Sequence, residues 1–131
     1  MEPKIKILID NLLAKTKKRE TKWDRVGKSD QFILFLDNAR VSIDKLISNK
    51  RQLFYKFSII NSSGDTILNV NGIKDDNAFA VHLDNDYNTL KELHQEIQKA
   101  YFKVNETIDG LLGEIEKDGE IGNEDPDSLP F

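Results

Sequence analysis

The sequence predicts an α+β fold: an N-terminal helix, an antiparallel meander of about four to five strands, a long C-terminal helix that is bent or split, and an acidic, disordered tail. Three observations predict it. Apolar residues recur every three or four positions near both ends, they alternate with polar residues through the middle, and turn residues punctuate that middle.

Pro3 sits where a first helical position tolerates it, because an N–H there would have no partner within the helix. Ile5, Leu8, Ile9, Leu12 and Leu13 follow at spacings of three and four, which places them on one side of a helix running roughly 3–19. A short strand is expected around Trp23 to Val26. After "GKSD" come "FILFLD" at 32–37, "RVSIDKLI" at 40–47 and "LFYKFSII" at 53–60, and the turn "NSSGD" leads to "TILNV" at 66–70. Within 53–60, Leu53, Tyr55, Phe57 and Ile59 point one way while Phe54, Lys56 and Ser58 point the other, as in an antiparallel sheet with one covered face. "AFAVHLD" at 78–84 reads as a last short strand. The helical period then returns in Leu90, Leu93, Ile97, Tyr101 and Val104, continued by Ile108, Leu111, Leu112 and Ile115. This is one long helix with a bend, or two helices joined near Val104-Asn105 with Asn105 capping the second. Gly110 and Gly113 weaken the second part. A stripe of that length exceeds what one small sheet covers, which leaves room for a dimer contact.

At 131 residues and 38% hydrophobic content, the chain has enough apolar surface for one core and not two. One domain over 1–117 is expected, with the glycine- and acid-rich stretch 118–131 as a flexible tail. The absence of cysteine removes disulfides, thiolate metal sites and cysteine nucleophiles together, and makes a reducing compartment the simplest setting. No apolar run approaches the length of a membrane span, and "MEPKIKILIDNLLAKTKK" carries charges through its apolar part, unlike a signal peptide. The expectation is a cytoplasmic protein without a membrane partner.

The net charge of −4 conceals an asymmetry: residues 1–28 carry nine Lys or Arg against four Asp or Glu, whereas residues 105–131 carry one against nine. The basic residues Lys15, Lys17, Lys18 and Arg19 fall at the C-terminal end of the first helix, where the helix dipole favours cations. Together with Lys22 and Arg25 they are either a solvated helix end or a nucleic-acid contact. Phe54, flanked by Arg51 and Lys56, is either ordinary packing on the more polar sheet face or a ring on which a base stacks.

Catalytic chemistry has little to work with. Neither His82, in a predicted strand, nor His94, on the long helix, has a spaced histidine or cysteine partner for a metal. "DNDYNTLKELHQE" at 84–96 begins like a calcium loop, but Thr89 stands where the turn glycine belongs and Gln95 where the bidentate glutamate belongs. No P-loop, dinucleotide-binding glycine pattern, nucleophile elbow or zinc-protease motif occurs. The expectation is a non-enzyme without cofactor or metal.

The last residues, "NEDPDSLPF" at 123–131, keep Leu and Phe in an otherwise acidic, flexible stretch. A terminal Phe offers a ring to an apolar pocket, its carboxylate suits an arginine, and Pro130 lowers the cost of ordering the approach. Glu124, Asp125 and Asp127 add long-range attraction to a basic rim. The stretch "EDPDSLPF" resembles the acidic C-terminal tip of bacterial single-stranded-DNA-binding proteins, which recruits replication, recombination and repair enzymes through its terminal Phe and its acids. The resemblance carries over to Asp125, Asp127, Leu129, Pro130 and Phe131, with Pro126 and Ser128 interrupting the usual acidic run. The body lacks the order of an OB-fold. "FAVHLDNDYNTLKEL" at 79–93 is similar to the positive-cofactor-four and Whirly type of single-strand binder, in which strands lead into a dimerising helix. "LLAKTKKRETKW" and "LKELHQEIQKAYFKVNETIDGLLGEI" also resemble a small uncharacterised bacterial domain.

Two functions follow. One is a single-stranded-DNA-binding or DNA-maintenance accessory protein, phage- or mobile-element-like, whose tip recruits enzymes that recognise the single-strand-binding-protein tip. The other is a protein-binding adaptor or immunity-type module that does not touch nucleic acid.

Overall fold

The computed structural model describes residues 1–74 and 86–123. The predicted strand 78–84, His82 and the tip residues Asp125, Asp127, Leu129, Pro130 and Phe131 lie outside them. The described chain is α+β, with an N-terminal helix, a five-stranded antiparallel sheet and two C-terminal helices: α1 (Pro3–Lys17), β1 (Asp24–Arg25), β2 (Gln31–Phe35), β3 (Ala39–Ile47), β4 (Leu53–Asn61), β5 (Thr66–Ile73), α2 (Asp86–Tyr101) and α3 (Val104–Ile115).

α1 stops two residues short of the expected end because the backbone turns left-handed at Arg19, with φ 60°. The N–H of Glu20 reaches back to Lys15 O at 2.9 Å and that of Arg19 to Thr16 O at 3.0 Å, which satisfies two carbonyls that the helix end leaves free. The sheet is a plain meander in the order β1-β2-β3-β4-β5. Cross-strand register puts Phe32, Ile43, Phe57 and Val70 in one row and Leu34, Val41, Ile59 and Leu68 in the next. These rows form the inner face, and a register shift at Ile59/Ile60 marks a bulge against β5.

α2 covers the inner face along β3, β4 and β5, and α1 packs beside α2. Leu90, Leu93 and Ile97 are fully buried against Phe32, Ile43, Tyr55 and Phe57, with Ile9, Leu12 and Trp23 in the same cluster. The hydrophobic effect supplies roughly 1.5–3 kcal/mol per such side chain, so this one cluster accounts for the cohesion of helices and sheet. At Gly72 a Cβ would stand 2.6 Å from Tyr87 Cα and N, so the start of α2 rests directly on the β5 backbone.

The C-terminal helix is split, one of the two arrangements that the sequence left open. The break falls at Lys103, whose φ of 52° is left-handed, and no side chain caps α3. Asn105 is therefore the second residue inside α3 and not its cap. No helix among the described residues is long and apolar enough to cross a membrane.

Candidate functional site

The basic residues singled out in the sequence are placed in two regions that the fold does not bring together. At the end of α1, three of the six are engaged within the chain: Lys17 Nζ lies 3.0 Å from Glu92 on α2, Lys15 Nζ 3.5 Å from Glu20, and Arg19 Nε 3.3 Å from Glu106 on α3. The hydrogen bond to Glu92 holds the Lys17 ammonium above its usual pKa. Arg25 clamps the β1–β2 turn, donating from Nε to Ser29 O at 2.7 Å and from Nη2 to Lys28 O at 2.9 Å, and its guanidinium stands 5.3 Å from the Phe102 ring. Lys18 and Lys22 are exposed. Each surface pair is worth only about 0–1 kcal/mol, but together they neutralise the local field that would attract phosphates.

The second region is the outer face of the sheet, opposite the helices. Register places Leu46, Phe54 and Ile73 in one row across β3, β4 and β5, with Gln31, Asp44, Lys56 and Asn71 in the adjoining row. Leu46 is 38% and Ile73 43% exposed, and Phe54 and Lys56 are half-buried. Lys50 and Arg51 occupy the β3–β4 turn beside this row, Arg51 in a left-handed conformation with φ 58°, and Lys74 follows Ile73. Lys50, Arg51 and Lys74 form no ion pair among the described residues. Burial raises the Asp44 carboxyl pKa, which Lys56 across the strand opposes, and Asp44 Oδ1 is buried with no hydrogen-bond partner among the described residues. Arg51, Phe54 and Lys56 are thus gathered as the sequence suggested, and Lys50, Lys74 and Leu46 join them. Those three were missed because a row across strands depends on register, which alternation along one strand leaves open.

α3 forms a third surface. None of its residues is buried: Ile108 is 48%, Leu111 51%, Leu112 51% and Ile115 56% exposed. At about 100° per residue these side chains share one side of the helix, with Glu106 on the opposite side. Because Glu106 reaches Arg19 at the end of α1, the apolar side is turned away from the body of the protein.

Both ring nitrogens of His94 are inside the core. Nε2 lies 2.8 Å from Asp30 O, and Nδ1 has no partner among the described residues. The ring packs edge-on against Phe32 at 5.5 Å, so His94 is a core residue. Among the described residues no group of three or more His, Asp or Glu side chains is placed to hold a metal ion. Comparison with known proteins finds no matching family model, no matching curated protein and no matching solved structure.

Proposed function

We propose that this protein is a non-enzymatic protein-binding adaptor, which docks through the apolar side of α3 and recruits further proteins through its C-terminal tip. One observation carries the reading: α3 aligns four aliphatic side chains, each about half-exposed, and buries none of its residues. A 12-residue helix is marginal alone in water, and its usual source of stability is the packing of its apolar side. Among the described residues nothing buries that side, so a protein surface is its natural complement.

The tip adds a second, separable contact. The expected capture is of the Phe131 ring in an apolar pocket, with Asp125 and Asp127 steering the encounter. Fluorescence polarisation of the peptide 123–131 against enzymes that recognise the single-strand-binding-protein tip tests it. Deleting Phe131 is expected to cost roughly 2–4 kcal/mol of affinity, and Ser128→Asp to be neutral or favourable. Peptide that fails to bind any of these enzymes overturns the recruitment part of the reading. Ile108→Asp with Leu111→Asp tests the docking part, because loss of association without loss of folding is the expected result.

A second reading, single-stranded DNA on the outer sheet face, is favoured by one observation: Phe54 lies in a row flanked by Lys50, Arg51, Lys56 and Lys74. Titration of a labelled oligo-dT 30-mer decides it. Binding whose affinity falls by about 0.7 logarithmic units per logarithm of salt for each neutralised phosphate supports it, and no binding at low salt removes it.

A further inference from the structure

We propose that the partner seated on α3 is a second copy of this chain, with α3 of one copy lying on the Leu46–Phe54–Ile73 row of the other, and reciprocally. The inference rests on the protein-docking reading above and names the occupant of that surface.

Charge identifies the occupant. On the helical wheel Asp109 and Glu116 flank one edge of the α3 apolar stripe and Glu114 flanks the other. The rim of the stripe is therefore acidic. Pairing α3 with α3 of another copy would bring acid against acid, an arrangement that disfavours association. Among the described residues the outer-face row has the opposite rim, Lys50, Arg51, Lys56 and Lys74, with Asp44 the one acid in the adjoining row, half-buried and facing Lys56. One chain thus carries an apolar helix edged with acid and an apolar row edged with base.

Among the described residues, α3 and the row of one chain do not meet in this fold. α3 is held on the helical side of the sheet by its contact with α2 and by the Arg19–Glu106 pair, whereas the row lies on the other side. Area points the same way. A 12-residue helix is about 18 Å long and about 10 Å wide, a projected strip on the order of 200 Å², against about 800 Å² that each partner of a stable complex commonly buries. A two-fold arrangement makes the helix-on-sheet contact twice and doubles the covered area without further sequence. It also presents two tips at once, so a bivalent target would be held by avidity.

Sedimentation velocity of the full chain tests the proposal, with three proteins: wild type, a helix variant (Ile108→Asp with Leu111→Asp) and a face variant (Leu46→Glu with Lys50→Glu). Wild type is expected to dimerise at tens of micromolar, with affinity falling about tenfold as salt rises from 50 to 500 mM. Each variant alone is expected to be monomeric, and circular dichroism melts matching wild type establish that each is folded. Mixing the two variants is expected to restore a weaker heterodimer, in which the intact helix of one meets the intact face of the other. A face variant that still dimerises, or a mixture that does not associate, overturns helix-on-sheet pairing. Monomeric wild type at about 200 μM overturns self-docking; the recruitment part of the adaptor reading, whose tip contact is separable from α3, then stands or falls by the binding of the peptide 123–131. Oligo-dT that binds the wild-type monomer and not the face variant assigns the face to nucleic acid and also overturns the proposal.

Discussion

Thr16 uses its hydroxyl three times, donating to Leu12 O at 2.7 Å and accepting from Trp23 Nε1 at 3.1 Å and Thr21 Oγ1 at 3.2 Å. It is fully buried, so the indole N–H has no water to fall back on. Thr16→Val keeps the shape and orphans that N–H, and is expected to cost about 1–3 kcal/mol by urea denaturation. His94 predicts a pH dependence. Burial lowers its pKa, a shift opposed by the Asp30 carbonyl and carboxylate and reinforced by Lys45. A histidine whose folded pKa lies below its unfolded value of about 6.5 takes up its proton more readily in the unfolded chain. Its contribution to stability is therefore complete above about pH 6.5 and is lost as pH falls below that value. Urea midpoints measured between about pH 7 and pH 5 should decline, and His94→Gln, which keeps a donor for Asp30 O, should flatten the decline. Asp44 acts with the opposite sign: its raised pKa makes ionisation costly in the folded state, so Asp44→Asn is expected to raise stability at pH 7, with the gain vanishing below the unfolded carboxylate pKa.

The elements divide by whether their apolar side is covered. α2 buries Leu90, Leu93 and Ile97 completely, and Leu93→Ala is expected to cost about 2–5 kcal/mol. α3 buries nothing, so Ile108→Asp is expected to leave the melting temperature of the isolated chain unchanged within about 2 °C. That contrast, measured by differential scanning calorimetry, separates a core helix from a docking helix. Gly72 fixes how α2 meets the sheet. A methyl at this position meets backbone atoms of Tyr87 at 2.6 Å and the carbonyl carbon of Asp86 at 2.8 Å, so Gly72→Ala must displace the first turn of α2. A loss of about 1–3 kcal/mol is expected, with the largest gain in hydrogen exchange at the N-terminal end of that helix.

For the whole molecule, the asymmetry of charge along the sequence is partly cancelled in space, because Lys17 meets Glu92 and Arg19 meets Glu106. Among the described residues, Lys50, Arg51 and Lys74 cluster without an ion pair around the β3–β4 turn and the end of β5, whereas at the end of α1 only Lys18 and Lys22 are left so. Reversing Lys17, Lys18 and Arg19 to Glu is therefore expected to change any binding of oligo-dT by less than about threefold, whereas Lys50→Glu with Arg51→Glu should weaken it by about tenfold or more. If the first triple instead abolishes binding, nucleic acid is held at the end of α1. Titrations of both variants at 50 mM salt distinguish the two surfaces.

The sequence by itself determined the fold class and its elements: helical spacing from Ile5 to Leu13 and from Leu90 to Ile97, and alternation along Leu53 to Ile60, are local patterns that burial on one side imposes. It also located the weak point of the C-terminal helix to within two residues, and marked Phe54, Arg51 and Lys56 as neighbours because they share one strand end. Only the tertiary structure decided which apolar stripe is core and which is surface. Leu93 and Leu111 look alike in the sequence, yet one is fully buried and the other half-exposed, since α2 and α1 contribute side chains to the core over the sheet whereas α3 contributes none. It likewise decided that four of the six basic residues at and after the end of α1 are spent on ion pairs and a turn clamp, and that Lys50 and Lys74 join the Phe54 row. Those outcomes depend on which residues meet across strands and between helices, and distance along the chain carries no information about that.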